Sequence, residues 1–267
     1  MARSLHPLAI WSLFKELRIA AEDTKPLVVS GPLAEQLRRE LTRDGGADAV
    51  RVGGRADAAA VLVRVLAGAP TQEDEAELKA AKRANVPVVA VQTGTEDFDV
   101  PYVLATDIVK CRPGEGFPVE EIAEAVAARL GEAGTGLAAR LPVLREPLGR
   151  ELIESFSRKN GIVAVAIFVP GADFPVLTLN QIRLVLRLGA AYGVEIDQQR
   201  LPEVLATVAA GFGFRAVARQ VLGAIPVAGW LVKGGVAYAG TRALGEAAMR
   251  YFQAQSDDQR SSMQPSS

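Results

Sequence analysis

The chain has 267 residues, 49% of them hydrophobic, and its 30 basic side chains nearly balance 31 acidic ones. That balance excludes a generally basic nucleic-acid binder. A single cysteine, Cys111, excludes a disulfide framework or a Cys-rich zinc module, and the only histidine, His6, lies too near the terminus to serve as a buried base.

The length suits two domains of ordinary size. Residues 1–24 read as an N-terminal amphipathic helix, with Ile10, Leu13, Phe14 and Leu17 on one face beside Trp11. Met1 to Pro7 has Arg3 as its only basic side chain, and Lys15 and Glu16 break the apolar run that follows. No targeting signal is expected there, which places the protein inside the cell.

Residues 25–130 alternate short Val-rich runs with polar amphipathic stretches. Strands are expected at Leu27–Ser30, Ala59–Leu66, Val86–Gln92 and Tyr102–Ala105, and helices at Leu33–Thr42, Gln72–Ala84 and Val119–Leu130. Such alternation predicts an α/β domain with a parallel sheet and right-handed crossovers. Residues 131–149, with Gly-Glu-Ala-Gly-Thr-Gly and two prolines, read as a linker.

Residues 150–255 show no strand signal and read as an all-α domain with helices at Leu152–Val169, Val176–Tyr192, Leu201–Leu222 and Val227–Gln253. Residues 256–267 read as a polar, disordered tail. Charge divides along the same line: residues 25–140 carry 14 basic and 18 acidic groups, residues 141–255 carry 12 and 8. The basic, more apolar half suits anionic lipid or an acidic partner.

The strand, Gly turn and helix at Leu27–Leu37 occupy the place of a phosphate loop. That chemistry needs Gly-x4-Gly-Lys-Ser/Thr, because backbone amides cradle phosphates, Lys reaches the terminal ones and the hydroxyl holds magnesium. Counted from Gly31, the last three positions hold Gln36, Leu37 and Arg38, and the chain has no Gly-Lys, Asp-x-x-Gly or Asn-Lys-x-Asp. Even so, Val86-Pro-Val-Val-Ala-Val-Gln-Thr-Gly-Thr-Glu96 resembles the guanine-specificity strand and loop of an Era-like GTPase, and Val103-Leu104-Ala105-Thr106 its final strand and base-contacting loop.

The helical half carries a more specific resemblance. Pro170 to Arg183, Ala191-Tyr-Gly193, Ala210-Gly-Phe-Gly-Phe-Arg215, Ile225-Pro-Val-Ala-Gly-Trp230 and Thr241-Arg-Ala-Leu-Gly245 look like the YcjF-type helical family, domain of unknown function 697, over roughly residues 150–253. The resemblance implies a membrane-associated helical domain joined to a GTPase-like one. Here the joined domain departs from the GTPase pattern at each catalytic motif.

Other motifs are weaker. Gly211-Phe-Gly-Phe-Arg-Ala216 fits Gly-x-Gly-x-x-Ala but follows an apolar helix rather than a strand. Glu73, Asp74, Glu75 and Glu77 open a helix, where acids favour the dipole. Cys111 has Lys110 and Arg112 as neighbours but no identifiable base.

Asn180, Arg183 and Arg187 share one helical face, with Gln181 beside it and Asp173 in the preceding turn. These groups are read either as a docking surface for a lipid headgroup or protein, or as polar groups satisfied inside the bundle. Gly235, Ala239, Ala243 and Ala247 form a small-residue stripe suited to close helix packing. No catalytic residue, cofactor site or metal site is assigned. The expected function is a non-enzymatic regulatory or scaffold protein with a pseudo-GTPase domain, on the cytoplasmic side of the membrane. Membrane lipid, a membrane protein or a second copy of the chain is its partner, and nucleic acid is not. A nucleotide hydrolase with a non-standard loop and a soluble cytoplasmic binding module are the alternatives.

Overall fold

The computed structural model describes residues 15, 23–96, 98–112, 114–166, 174–194, 201, 203–204, 206–207 and 229–263. The expected N-terminal helix, Asp173, the Gly211–Ala216 motif and most of the expected helix at 201–222 lie outside these residues. Two compact units divide the chain, one over Glu22–Leu148 and one holding the helices from Gly149 onward. The first is an α/β unit with a parallel sheet and the second is all-helical.

In the α/β unit, strands β1 (Leu27–Ser30), β2 (Val50–Val52), β3 (Val61–Leu66), β4 (Val88–Gln92) and β5 (Ile108–Lys110) form one sheet in the order β2-β1-β3-β4-β5. Every neighbouring pair is parallel, with Val28 opposite Leu62, Ser30 opposite Arg64 and Val63 opposite Val89. A parallel sheet needs cover on both faces, and the sequence supplies it with near-continuous apolar strands. Leu27, Val29, Val61, Val63, Val65, Val89 and Val91 are all 0% exposed.

Helices α1 (Ala34–Leu41), α2 (Gln72–Arg83) and α3 (Val119–Leu130) provide the cover. α1 buries Ala34, Leu37 and Leu41 at helical spacing, and α3 buries Ile122, Ala123, Val126 and Ala127. On one face of the sheet, Leu78 and Ala81 of α2 pack with Val28, Leu62, Leu66, Val88 and Ala90. α2 begins at a capping box: the Thr71 hydroxyl accepts the Asp74 amide, while the Asp74 carboxylate accepts the Thr71 amide.

Two expectations for this half are corrected. Tyr102 takes a left-handed φ of 67°, Ala105–Asp107 form a 3-10 turn, and the last strand is Ile108–Lys110 rather than Tyr102–Ala105. The segment 131–149 is not an open linker: a 3-10 turn at Gly131–Gly134, helix α4 (Thr135–Arg140) and a 3-10 turn at Pro142–Leu144 lead into helix α5 (Arg145–Ala166). Leu137, Leu141, Leu144 and Leu148 recur every three or four residues and are buried. Pro142 and Pro147 sit in the first turns of helical segments, where a missing amide costs no intrahelical bond.

The helical unit is built on α5, α6 (Phe174–Ala191) and α7 (Gly229–Met263). α7 has 35 residues, about 52 Å at 1.5 Å per residue. It extends past the expected end at Gln253 and into the stretch read as a disordered tail, as far as Met263. Ser256 is buried there, and Gln255 Nε2 donates to the Tyr251 hydroxyl at 2.8 Å. Phe156, Ile153, Leu184, Leu188, Ala248 and Phe252 contribute to the buried apolar core of this unit.

Candidate functional site

In a doubly wound sheet of order 2-1-3-4-5, ligands bind outside the carboxyl ends of the strands, where β1 and β3 part. Side chains of this protein fill that place. Arg64, near the end of β3, donates through Nε to Asp74 Oδ1 at 2.9 Å and through Nη1 to Glu77 Oε2 at 2.5 Å, and its Nη2 also pairs with Asp74. Ser30, the last residue of β1, donates its hydroxyl to Glu77 Oε2 at 3.1 Å. Thr71 donates its hydroxyl to Asp74 Oδ2 at 2.7 Å. Burial pushes the Asp74 carboxyl up, but the hydrogen bonds from Thr71 and the Arg64 guanidinium outweigh it and hold the group below the ordinary aspartate value.

The backbone around this cluster is equally tight. Gly31 has φ of 95°, and a Cβ there would collide with the carbonyl oxygen of Val65. Its carbonyl and that of Leu33 accept the first amides of α1, those of Ala34, Gln36 and Leu37, so these donors are engaged within the turn. After β4, Thr93 donates its amide and hydroxyl to the Leu66 carbonyl at 2.9 and 3.3 Å. A Cβ at Gly94 would lie 2.7 Å from the Ala67 carbonyl oxygen. Gln92 is buried and donates to the Phe98 carbonyl at 2.9 Å. The segment compared with a guanine loop is thus folded against the end of β3, while Val103 to Thr106, compared with a final strand and its loop, precede β5.

The four acids expected to open a helix do not act alike. Asp74 and Glu77 turn inward to Arg64, whereas Glu73 and Glu75 are exposed on the first turn of α2. Among the described residues no group of three or more His, Cys, Asp or Glu side chains is arranged to hold a metal ion. Cys111 is surrounded differently from its sequence neighbours: burial raises its thiol pKa, and the carboxylates of Glu40 and Glu121 raise it further.

In the helical unit a neutral polar network joins three helices. Asn160 of α5 donates to Thr241 Oγ1 of α7 at 2.8 Å, and Asn180 of α6 donates to Asn160 Oδ1 at 2.8 Å. Gln181 adds a longer bond of 3.4 Å to the same Thr241 hydroxyl. Asn160 and Thr241 are both 0% exposed. The backbones of α5 and α7 approach closely beside this network. A Cβ at Gly161 would lie 3.3 Å from the Gly234 carbonyl oxygen, and one at Gly234 would lie 2.6 Å from Val165 Cγ2.

The family described as Domain of unknown function (DUF697) matches residues 128–266, just over half of the 267. The chain belongs to this family. No curated protein and no solved structure matches it. The DUF697 segment is longer than the expected 150–253 and starts in the last turn of α3, so its first residues lie in the α/β unit.

Within the DUF697 segment the residues singled out from sequence separate. Asn180 and Gln181 bond into the bundle, Arg187 is buried and Arg183 is half-buried, so they do not form one open surface. Asp173 lies outside the described residues. The small-residue stripe runs from exposed Gly235 and Ala239 through half-buried Ala243 to buried Ala247. A strict four-residue repeat advances about 40° around a helix at each step, so it cannot follow one seam. The buried seam steps by three or four residues: Gly234, Ala237, Thr241, Gly245, Ala248 and Phe252.

Asn160 and Thr241, the two fully buried members of the network, were not among the candidate site residues, although Thr241 opens one of the family-like runs. Thr241 falls on the three-four spacing of the buried face of α7, whereas Asn160 directly follows Arg158 and Lys159 and its local sequence does not mark it as buried.

Proposed function

We propose that this protein is a non-enzymatic regulatory or scaffold protein, associated with the cytoplasmic face of a membrane through its helical half. Its α/β unit is proposed to be a GTPase-like domain without nucleotide chemistry. The observation that carries the second statement is the closed ion cluster of Arg64, Asp74, Glu77 and Ser30 at the parting of β1 and β3. Arg64 is already neutralised by carboxylates, which repel phosphate, and Leu37 stands in place of the loop lysine.

The membrane reading is supported by charge: residues 141–255 carry 12 basic and 8 acidic groups. Ile162 and Val176 of the helical unit, 68% and 42% exposed, add apolar surface. Among the described residues no helix is long and apolar enough to cross a membrane.

Calorimetry of the full chain with GTP and magnesium is expected to show no micromolar binding; micromolar, magnesium-dependent affinity would favour the nucleotide hydrolase. The full chain is expected to cosediment with anionic vesicles at low salt and to be released as salt rises. Recovery entirely in the supernatant at low salt would leave a soluble binding module.

A further inference from the structure

The large apolar side chains exposed among the described residues of the helical unit are Ile162 on α5, Val176 on α6 and Val236 on α7, at 68%, 42% and 45%. Contacts between the helices fix their relative heights. Gly149 lies against Met249 and Leu188, Gly245 against Ile153 and Leu184, and Gly161 against Gly234 and Tyr238, so α6 and α7 run in one direction and α5 in the other. Carried along the helices, that register brings Ile162, Val176 and Val236 to one level, at the end of the bundle where α5 finishes and α6 begins.

Charge is layered beneath that level. Arg158 and Lys159 are exposed on α5, Arg158 about 6 Å below Ile162, and Arg242 is exposed on α7 about 9 Å below Val236. No acid occurs in residues 155–166, 174–194 or 229–245, and the seven residues that join α5 to α6 contain one, Asp173. Arg158 pairs with Glu154 at 3.0 Å, and Arg242 with Glu154 at 3.5 Å and Glu246 at 3.0 Å. Each of these carboxylates lies farther from the apolar level than the cation it holds, and the two guanidinium side chains stay 63% and 52% exposed.

Apolar, then basic, then acidic is the order that complements a membrane surface read from acyl chains through anionic headgroups to water. Interfacial segments settle about 5 to 10 Å deep, which matches the step from the apolar level to the cations. We propose, resting on the membrane reading above, that the bundle meets an anionic leaflet end-on. Ile162, Val176 and Val236 reach the boundary of headgroups and acyl chains, and Arg158, Lys159 and Arg242 lie among the lipid phosphates. Three helices that each expose an apolar group at equal height suit a planar, fluid boundary, which needs no groove shaped to receive it.

Site-specific labelling of the full chain tests this. Ile162→Cys, Val176→Cys and Val236→Cys, each with Cys111→Ser as background, carry an environment-sensitive fluorophore, and Gln253→Cys is the control at the far end. With phosphatidylcholine–phosphatidylserine vesicles at low salt, emission is expected to move to shorter wavelength and at least double at the first three positions and to stay unchanged at 253. Ile162→Asp/Val176→Asp/Val236→Asp, which alters only exposed positions, is expected to keep the parental helicity and to lose roughly tenfold in vesicle partitioning. Cosedimentation of the parent with a response at 253 alone, or at none of the four positions, would overturn end-on contact and leave the membrane reading standing. So would undiminished partitioning of the triple variant, or an equal response to phosphatidylcholine alone. A response that grows with protein concentration in the absence of lipid would assign this end to a second copy of the chain and overturn the proposal. Absence of cosedimentation by the parent would remove both the proposal and the reading on which it rests.

Discussion

In the α/β unit a charged cluster sits where strands end: Arg64, Asp74 and Glu77, joined by Ser30. In the helical unit a neutral network sits along the helices, on Asn160, Asn180, Gln181 and Thr241. Hydrogen bonding in the sheet consumes the backbone, and the strand ends are where side chains can gather beside a helix N-terminus without breaking the ladder. A helix bundle has no such edge, and at Asn160 and Thr241 the polarity in its core is carried by short, uncharged side chains that close on one another. The charged cluster keeps some contact with water, whereas Asn160 and Thr241 at the centre of the neutral network have none.

The largest test of this contrast is Gly31→Ala. It forces a side chain onto a backbone with φ of 95° and against the Val65 carbonyl, an immovable part of β3. A loss of roughly 3 to 5 kcal/mol is expected in denaturant melts, with amide protection falling across β1 and β3.

Arg64→Ala should follow closely. It leaves Asp74 and Glu77 facing each other without a counter-charge, at a cost of roughly 2 to 4 kcal/mol, moderated by their partial solvent contact. The pH dependence has a definite sign. The Asp74 carboxyl is held below its ordinary value of 3.8, so the native protein draws stability from it above that pH and loses it as pH falls through the lowered value. The difference between parent and Arg64→Ala should therefore be widest near neutrality and shrink below pH 3.8 in melts across an acid series.

In the helical unit, adjacent glycines should respond with opposite signs. Gly234→Ala pushes a methyl to 2.6 Å from Val165 Cγ2 and is expected to cost about 1 to 3 kcal/mol. Gly235→Ala meets nothing within 4 Å and should gain about 0.5 to 1 kcal/mol from helix propensity. Equal effects at the two positions in thermal melts would mean that α7 is turned differently.

The smallest effect is expected from Glu151→Gln. Burial raises the Glu151 pKa; Arg158 opposes that shift and Glu154 adds to it. Removing the charge should raise the melting temperature slightly at pH 7 and leave it unchanged at pH 3, where the carboxyl is protonated in either state.

These contrasts also show why one half was easier to read than the other. Val-rich runs between Gly or Pro marked β1, β3 and β4 to within two residues, because a doubly covered strand is apolar at nearly every position. β2 was missed: Val50–Val52 is too short to display a period. β5 was displaced because Tyr102 adopts a left-handed backbone that composition does not announce.

In the helical half the helices were legible from their apolar content, but their faces were not. Gly and Ala fill so much of α7 that its stripe could be drawn on either of two adjacent lines, and the line chosen began on the exposed one. At the strand ends, absent phosphate-loop residues were visible in the sequence. What occupies their place was not, since Ser30, Arg64 and Glu77 are far apart in the chain and meet only through the register of β1 with β3 and the docking of α2.

The family boundary and the folding boundary do not coincide. DUF697 begins at residue 128, yet the leucines at 137, 141, 144 and 148 are buried in the unit that ends at Leu148. Arg140 also donates to the Lys25 carbonyl at 2.8 Å, across 115 residues of chain. A recombination breakpoint placed at residue 128 would carry an apolar strip away with the helices and leave the sheet unit uncovered. A breakpoint near 149 would instead divide the inherited segment while sparing that core.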